Sequence, residues 1–332
     1  MSIFTQSISY RPFIYPWAVE AEKREVVDKY WHEGQIDLQD DLMQYLSKDG
    51  LATKNFTHEQ NKKTLDTLLL FFTQLEMSVA EGYIELLPYT KNDQIKSLFI
   101  QQAAKEVRHK RAYALAGETF GFTDADWSSF LQYKEMVNKV ELITSDNEDL
   151  SVPLNYAVKL AKVLLGEGIG LFAAFADLLN FKRFGLLIGF NDVNQWSLND
   201  EEGHVSNNIK ALQSIVEGLS VEDRIALRCK VHELVEEYVK TEHAVIDLVG
   251  AQEDLTIEQQ KHYISFLGRL RLYQIGYIGT IDLGVNPLPW MDSILTAEKH
   301  GAFFEKKITD YTHKKLEGSV DYAKYQTILK GT

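Results

Sequence analysis

Residues 105–113 read KEVRHKRAY, and residues 198–204 read LNDEEGH. Each holds a Glu-x-x-His, Glu106 to His109 and Glu201 to His204, and the pattern occurs nowhere else in the chain. Three helical steps leave two side chains about 60° apart around the axis, so one Glu and one His can approach the same ion. Tyr113 falls one turn beyond His109 on the same side. A soluble protein sends a carboxylate, an imidazole and a phenol into one buried face only when they are paired or ligated.

The helices that carry these motifs belong to a chain dominated by the 3.6-residue period, with scarce strand signals. The spacing predicts helices from about Val19 to Tyr30, from Thr57 to a stop at Pro88, and from a cap at Asn92 to Gly117–Gly121. Further helices are expected near Asp124–Val140, over Pro153–Asn180, through NDVNQWSLNDEEGHVSNNIKALQSIVEGL, from the cap Ser220, and over TIEQQKHYISFLGRLRLYQIGYI. GQIDLQDD and TSDNEDLSVP read as irregular. The expected fold is all-α, a bundle of long helices in one domain over 1–332, with roughly 300–332 as a partly mobile tail.

Hydrophobic residues make up 45% of the 332, enough for a substantial core, and the formal net charge is −13. Such a charge repels phosphate backbones and anionic lipid, so neither nucleic acid nor membrane is an expected partner. The N-terminus lacks a signal-peptide pattern. The apolar run Val163–Phe181 is long enough to span a bilayer, but Glu167 and Asp177 make that costly, and a buried helix is the better reading. The single cysteine, Cys229, fits a reducing cytosol and is expected to be a core thiol.

Two more carboxylates interrupt apolar lines. On the Thr57–Pro88 helix the line runs Leu69, Phe72, Glu76, Val79/Ala80, Tyr83, Leu87. Glu81 and Glu85 lie roughly 140° and 180° from Glu76 and should be solvated. On the Pro153–Asn180 helix the line is Leu160, Leu164, Glu167, Leu171, Ala174/Phe175, Leu178. The order is then Glu76 … Glu106-x-x-His109, followed by Glu167 … Glu201-x-x-His204: one lone Glu helix and one Glu-x-x-His helix in each half. That arrangement is the one used by di-iron and di-manganese carboxylate bundles. Four carboxylates balance two divalent cations, and oxygen and nitrogen donors suit iron or manganese.

With these residues assembled, the chain resembles the small, radical-generating subunit of class I ribonucleotide reductase, a ferritin-like family. The similarity runs from about Trp31 to Leu283 and is carried by LFFTQLEMSVAEGYIELLP, QAAKEVRHKRAY, LLGEGIGLFAAF and LNDEEGH. It implies that Glu106 and Glu201 bridge two metals, that Glu76 and Glu167 are terminal ligands, and that His109 and His204 bind one metal each. The cofactor it implies is a dinuclear cluster, two Fe first, with Mn/Fe or two Mn as alternatives. It implies a stable radical on Tyr113, and apolar neighbours such as Leu171, Phe172 and Phe175 are expected to exclude reductants from it. It also implies an exit route through His109, Asp200 and Trp31, with Asp200 hydrogen-bonded to both neighbours. Tyr325, or failing it Tyr322, would relay oxidation from the tail.

By the same resemblance the chain works in the cytoplasm as a homodimer with a large catalytic subunit, making deoxyribonucleotides for DNA replication. Three departures stand out: Glu76 where many members have Asp, Asn199 where arginine is common before Asp200, and a tail without a strongly acidic end. The donor set alone also admits a bundle di-metal oxidase acting on a bound small substrate, or a ferritin-like metal store. The Trp31–Asp200 pairing argues against the first, and the extra helices and tail against the second.

Overall fold

Caps and proline positions set the helix boundaries in the computed structural model, which describes residues 2–7, 9–144 and 148–295. Tyr325, Tyr322 and the rest of the expected tail lie outside these residues. After α1 (Pro16–Lys23) come α2 (Gln39–Leu46) and α3 (His58–Leu86). The α3 N-terminus is closed by a capping box between Thr57 and Gln60, and the helix stops two residues short of Pro88. α4 (Asp93–Thr119) starts where the Asn92 side chain accepts from the backbone N–H groups of Gln94 (3.1 Å) and Ile95 (3.2 Å). It ends at Thr119, two residues before Gly121, whose φ of 91° favours glycine.

α5 (Asp124–Ser129), α6 (Lys134–Thr144), α7 (Pro153–Leu165) and α8 (Phe172–Arg183) follow, then α9 (Ile188–Val216), α10 (Val221–Val249) and α11 (Ile257–Ile275). Among the described residues there is no strand beyond an isolated bridge between Gln252 and Leu255. α3 and α4 pack against each other across the short link 87–92; α7 and α8 pack on α9; α1 packs on α4. Up to Pro289 the chain forms one compact unit, and a second begins at Trp290. The eleven α-helices found among the described residues all belong to the first.

Four expectations need correction. The helix expected over Asp124–Val140 breaks at Tyr133, which is extended. Phe130 and Met136, both buried, would lie about 120° apart on one straight helix, and the break lets both enter the core. The irregular 34–41 region contains the start of α2. Cys229 is exposed, not a core thiol; it stands about 200° around α10 from the buried Leu227. Glu85 is partly buried rather than free in solvent, and pairs at 2.6 Å with the fully buried ammonium of Lys159.

The expected helix Pro153–Asn180 is also interrupted, by a π-helical turn over Gly166–Gly170. Three glycines in five residues weaken the α-helical preference there and let neighbours approach the backbone. At Gly168 a Cβ would meet Arg271 Nε at 2.8 Å, and that same Nε donates to Gly168 O at 2.9 Å. A second π turn, Arg24–Asp28, follows α1. The stretch Pro153–Arg183 is long and apolar enough to cross a membrane, yet its most apolar window is wholly buried in the bundle.

Candidate metal centre

Glu76 projects from α3, Glu106 and His109 from α4, Glu201 and His204 from α9, and Glu167 from the π turn between α7 and α8. All six are completely buried. They form two groups, Glu76/Glu106/His109/Glu201 and Glu106/Glu167/Glu201/His204, whose candidate donor atoms lie within 4.8 Å of one another. Glu106 and Glu201 are common to both.

The short approaches repeat that division. His109 Nδ1 lies 3.2 Å from Glu106, 2.9 Å from Glu201 and 3.7 Å from Glu76. His204 Nδ1 lies 2.8 Å from Glu106, 3.5 Å from Glu201 and 3.2 Å from Glu167. Each histidine therefore faces both shared carboxylates and one carboxylate of its own.

This donor set fits two metal ions. Both oxygens of Glu76, Glu106 and Glu201, and Nδ1 of His109, are buried without a hydrogen-bond partner, despite the short N–O separations around them. Leaving so many carboxylate oxygens unsatisfied would cost several kcal/mol for each ion, roughly, unless cations compensate. Burial pushes Glu76 well above the carboxylate range and lifts Glu167 to about 8, with the charges of Glu201 and Glu106 adding to both shifts. Burial opposes ionisation of Glu106 too, but His204 and His109 outweigh it and hold that carboxyl far below its ordinary value. Burial would lower both imidazoles, yet Glu106 and the surrounding acceptors push them well above theirs. The cluster draws in positive charge, and metal ions entering it must displace protons.

A second layer stands behind the histidines. Asp200 Oδ2 accepts from Trp31 Nε1 at 2.9 Å and lies 3.3 Å from His109 Nε2. The Trp31 indole stacks on the His109 ring at a centroid distance of 5.6 Å and an interplanar angle of 5°. Burial alone would raise Asp200, but His109, Lys105 and Lys29 keep it ionised, well below the usual range. Lys29 also donates to the backbone oxygen of Asn199 at 2.7 Å. At the other histidine, Glu167 Oε1 accepts from Tyr83 Oη at 2.7 Å and Glu167 Oε2 accepts from Asn208 at 2.8 Å.

Tyr113 is fully buried and donates to Asn194 Oδ1 at 3.1 Å. Its ring stacks on Phe72 at 4.4 Å and meets Phe190 edge-on at 5.9 Å. Of the expected screen, Phe175 packs on Phe72 at 5.1 Å and Phe172 on Phe175 at 5.9 Å. The extra residue in the π turn rotates α8 by about 100°, which a straight-helix reading misses. Burial, and after it the charge of Glu76, pushes the phenol well above its ordinary pKa, so it is neutral.

The sequence reading misses Lys105, Glu25, Tyr83, Asn208 and Asn194. Asn208 is within reach of it, since this residue follows His204 by four on one helical face. Tyr83 reads only as part of an apolar line. Glu25 has no signal, because its π turn is invisible to a 3.6-residue period.

Comparison with known proteins identifies the family. A probable ribonucleoside-diphosphate reductase small subunit of Invertebrate iridescent virus 3 is 28% identical over 338 residues, covering 96% of this chain and 88% of the relative. The ribonucleotide reductase R2 subunit of Clostridium botulinum shares the fold at a TM-score of 0.71 and 18% identity, over 85% of this chain and 88% of that one. A dimanganese(II) NrdF structure from Streptococcus sanguinis does so at 0.67 and 14%, over 86% and 99%. The family model "Ribonucleotide reductase, small chain" matches residues 7–280, and the chain belongs to that family.

Proposed function

We propose that this chain is the radical-generating small subunit of a class I, cytoplasmic ribonucleoside-diphosphate reductase, acting as a homodimer with a large subunit that reduces the ribonucleotide. The observation that carries the reading is the pair of donor groups that share Glu106 and Glu201. In this reading Glu106 and Glu201 would serve both ions, with Glu76 and His109 holding one and Glu167 and His204 the other. The ions are two iron, with manganese in one or both positions as the alternative compatible with the same oxygen and nitrogen donors. When bound, they supply the oxygen-dependent one-electron oxidising power that carboxylates and imidazoles lack.

The protein's own residues do the rest. Tyr113 is the proposed radical carrier: Phe72 and Phe190 flank its ring, and its hydroxyl proton is held by the neutral amide oxygen of Asn194. Asp200 keeps His109 and Trp31 in one hydrogen-bonded and stacked unit, the proposed exit route, with Tyr325 as the relay in the tail.

The test is Tyr113→Phe. It should retain two metal ions per chain, lose any tyrosyl signal in electron paramagnetic resonance, and lose turnover with the large subunit by more than about 100-fold, in line with losing an essential group. Undiminished turnover would remove Tyr113 from its role.

A further inference from the structure

Lys105 immediately precedes Glu106 on α4 and is 2% exposed. Its ammonium is 2.7 Å from Asp200 Oδ1 and 2.5 Å from Glu25 Oε2, both buried. Asp200 stands behind His109, 3.3 Å from its Nε2. Glu25 stands behind His204, 3.9 Å from its Nε2, and that nitrogen is buried with no hydrogen-bond partner. One cation therefore sits between the two carboxylates that face the outer nitrogens of both imidazoles. It ties α9 and the N-terminal π turn to α4.

We propose that Lys105 is a positioning residue that sets the outer faces of both metal-site histidines at once. It fixes Asp200 against His109 and Trp31. It also anchors Glu25, which needs to move only about 1 Å to reach hydrogen-bond distance of His204 Nε2. A carboxylate behind a ligating imidazole fixes its ring and raises its basicity, and loss of such a partner weakens metal binding about 10–100-fold. Lysine suits the place because its compact charge carries three donors, of which two are used here. Without it, Asp200 and Glu25 lose the ammonium that contacts both of them, and each is free to shift away from its ring.

The inference rests on the six donors being metal ligands, and the test separates the two. Full-length wild type, Lys105→Met and Glu25→Gln are titrated anaerobically with Mn(II), free ion being read by electron paramagnetic resonance and folding by circular dichroism. Wild type should bind two Mn(II). Lys105→Met should weaken both positions about 10–100-fold. It should also shift the spin-echo modulation from the remote imidazole nitrogens, a signature that a merely structural lysine would not move. Glu25→Gln should weaken one position and spare the other. It carries the test alone if Lys105→Met does not fold. Folded Lys105→Met with wild-type affinity at both positions, or Glu25→Gln with both unchanged, overturns the proposal. A wild type that takes up no Mn(II) refutes the metal-site reading beneath it.

Discussion

The two halves of the cluster use the same donor types but restrain them differently. Glu76 rides on an uninterrupted α-helix, and neither of its oxygens has a hydrogen bond. Glu167 rides on a π turn, and its oxygens are taken by Tyr83, Asn208 and His204. The Glu76 half is therefore regular in backbone and free in side chain, and the Glu167 half is the reverse. Behind His109 lie Asp200 and a stacked indole; behind His204 lies Glu25 at a longer distance. Chemical likeness of ligands does not make the two positions equivalent. The surroundings leave one carboxylate able to reorient and pin the other.

The largest expected effect breaks both halves together. Glu106→Ala should lower Mn(II) affinity at both positions by more than about 100-fold, beyond what an outer partner contributes. Isothermal titration would show it, and tight binding in either half would break the shared-carboxylate reading.

Next comes pH, where Glu167 sets the sign. Its folded pKa of about 8 lies above the ordinary 4.5, so between those values the folded, metal-free chain holds a proton that an ion must displace. Apparent affinity at this half should rise with pH by up to about tenfold per unit on account of this proton, and the raised His204 adds a second proton to displace. The proton's own contribution to metal-free stability runs the other way, present below 4.5 and lost as pH climbs through 8. The Tm gain on adding Mn(II) should therefore grow across that window; a flat gain would remove the proton from Glu167.

The smallest effect is the most local. Tyr83→Phe removes one hydrogen bond to a charged oxygen and should weaken the Glu167 half by about tenfold at most, leaving the Glu76 half alone. Equal weakening of both would erase the contrast between them.

Much of this is legible in the residues. Glu76 and Glu167 announce themselves by interrupting apolar lines, and the two Glu-x-x-His pairs by their spacing, because both signals depend only on helical geometry. What stays hidden depends on departures from that geometry. The π turn at Gly166–Gly170 shifts register by a residue, and the Phe72 and Phe190 rings against Tyr113 go unforeseen. Lys105 looks like surface charge beside an acidic ligand, and only the fold brings residues 25 and 200 to it. Cys229 is a different failure: its angular offset from Leu227 is visible in the sequence, but cysteine's general tendency to be buried outweighs it in the expectation.

Arg271 comes from α11, which contributes no donor, yet its guanidinium occupies the volume a side chain at Gly168 would need and also grips Glu202 at 2.6 Å. A stripped-down scaffold that kept only the donor-bearing segments would hold all six side chains and lose this wedge. Miniaturising the protein would then fail first at Glu167, through the wandering of its unsupported loop of backbone. The peripheral helix is thus an inseparable part of what shapes the carboxylate–histidine cluster.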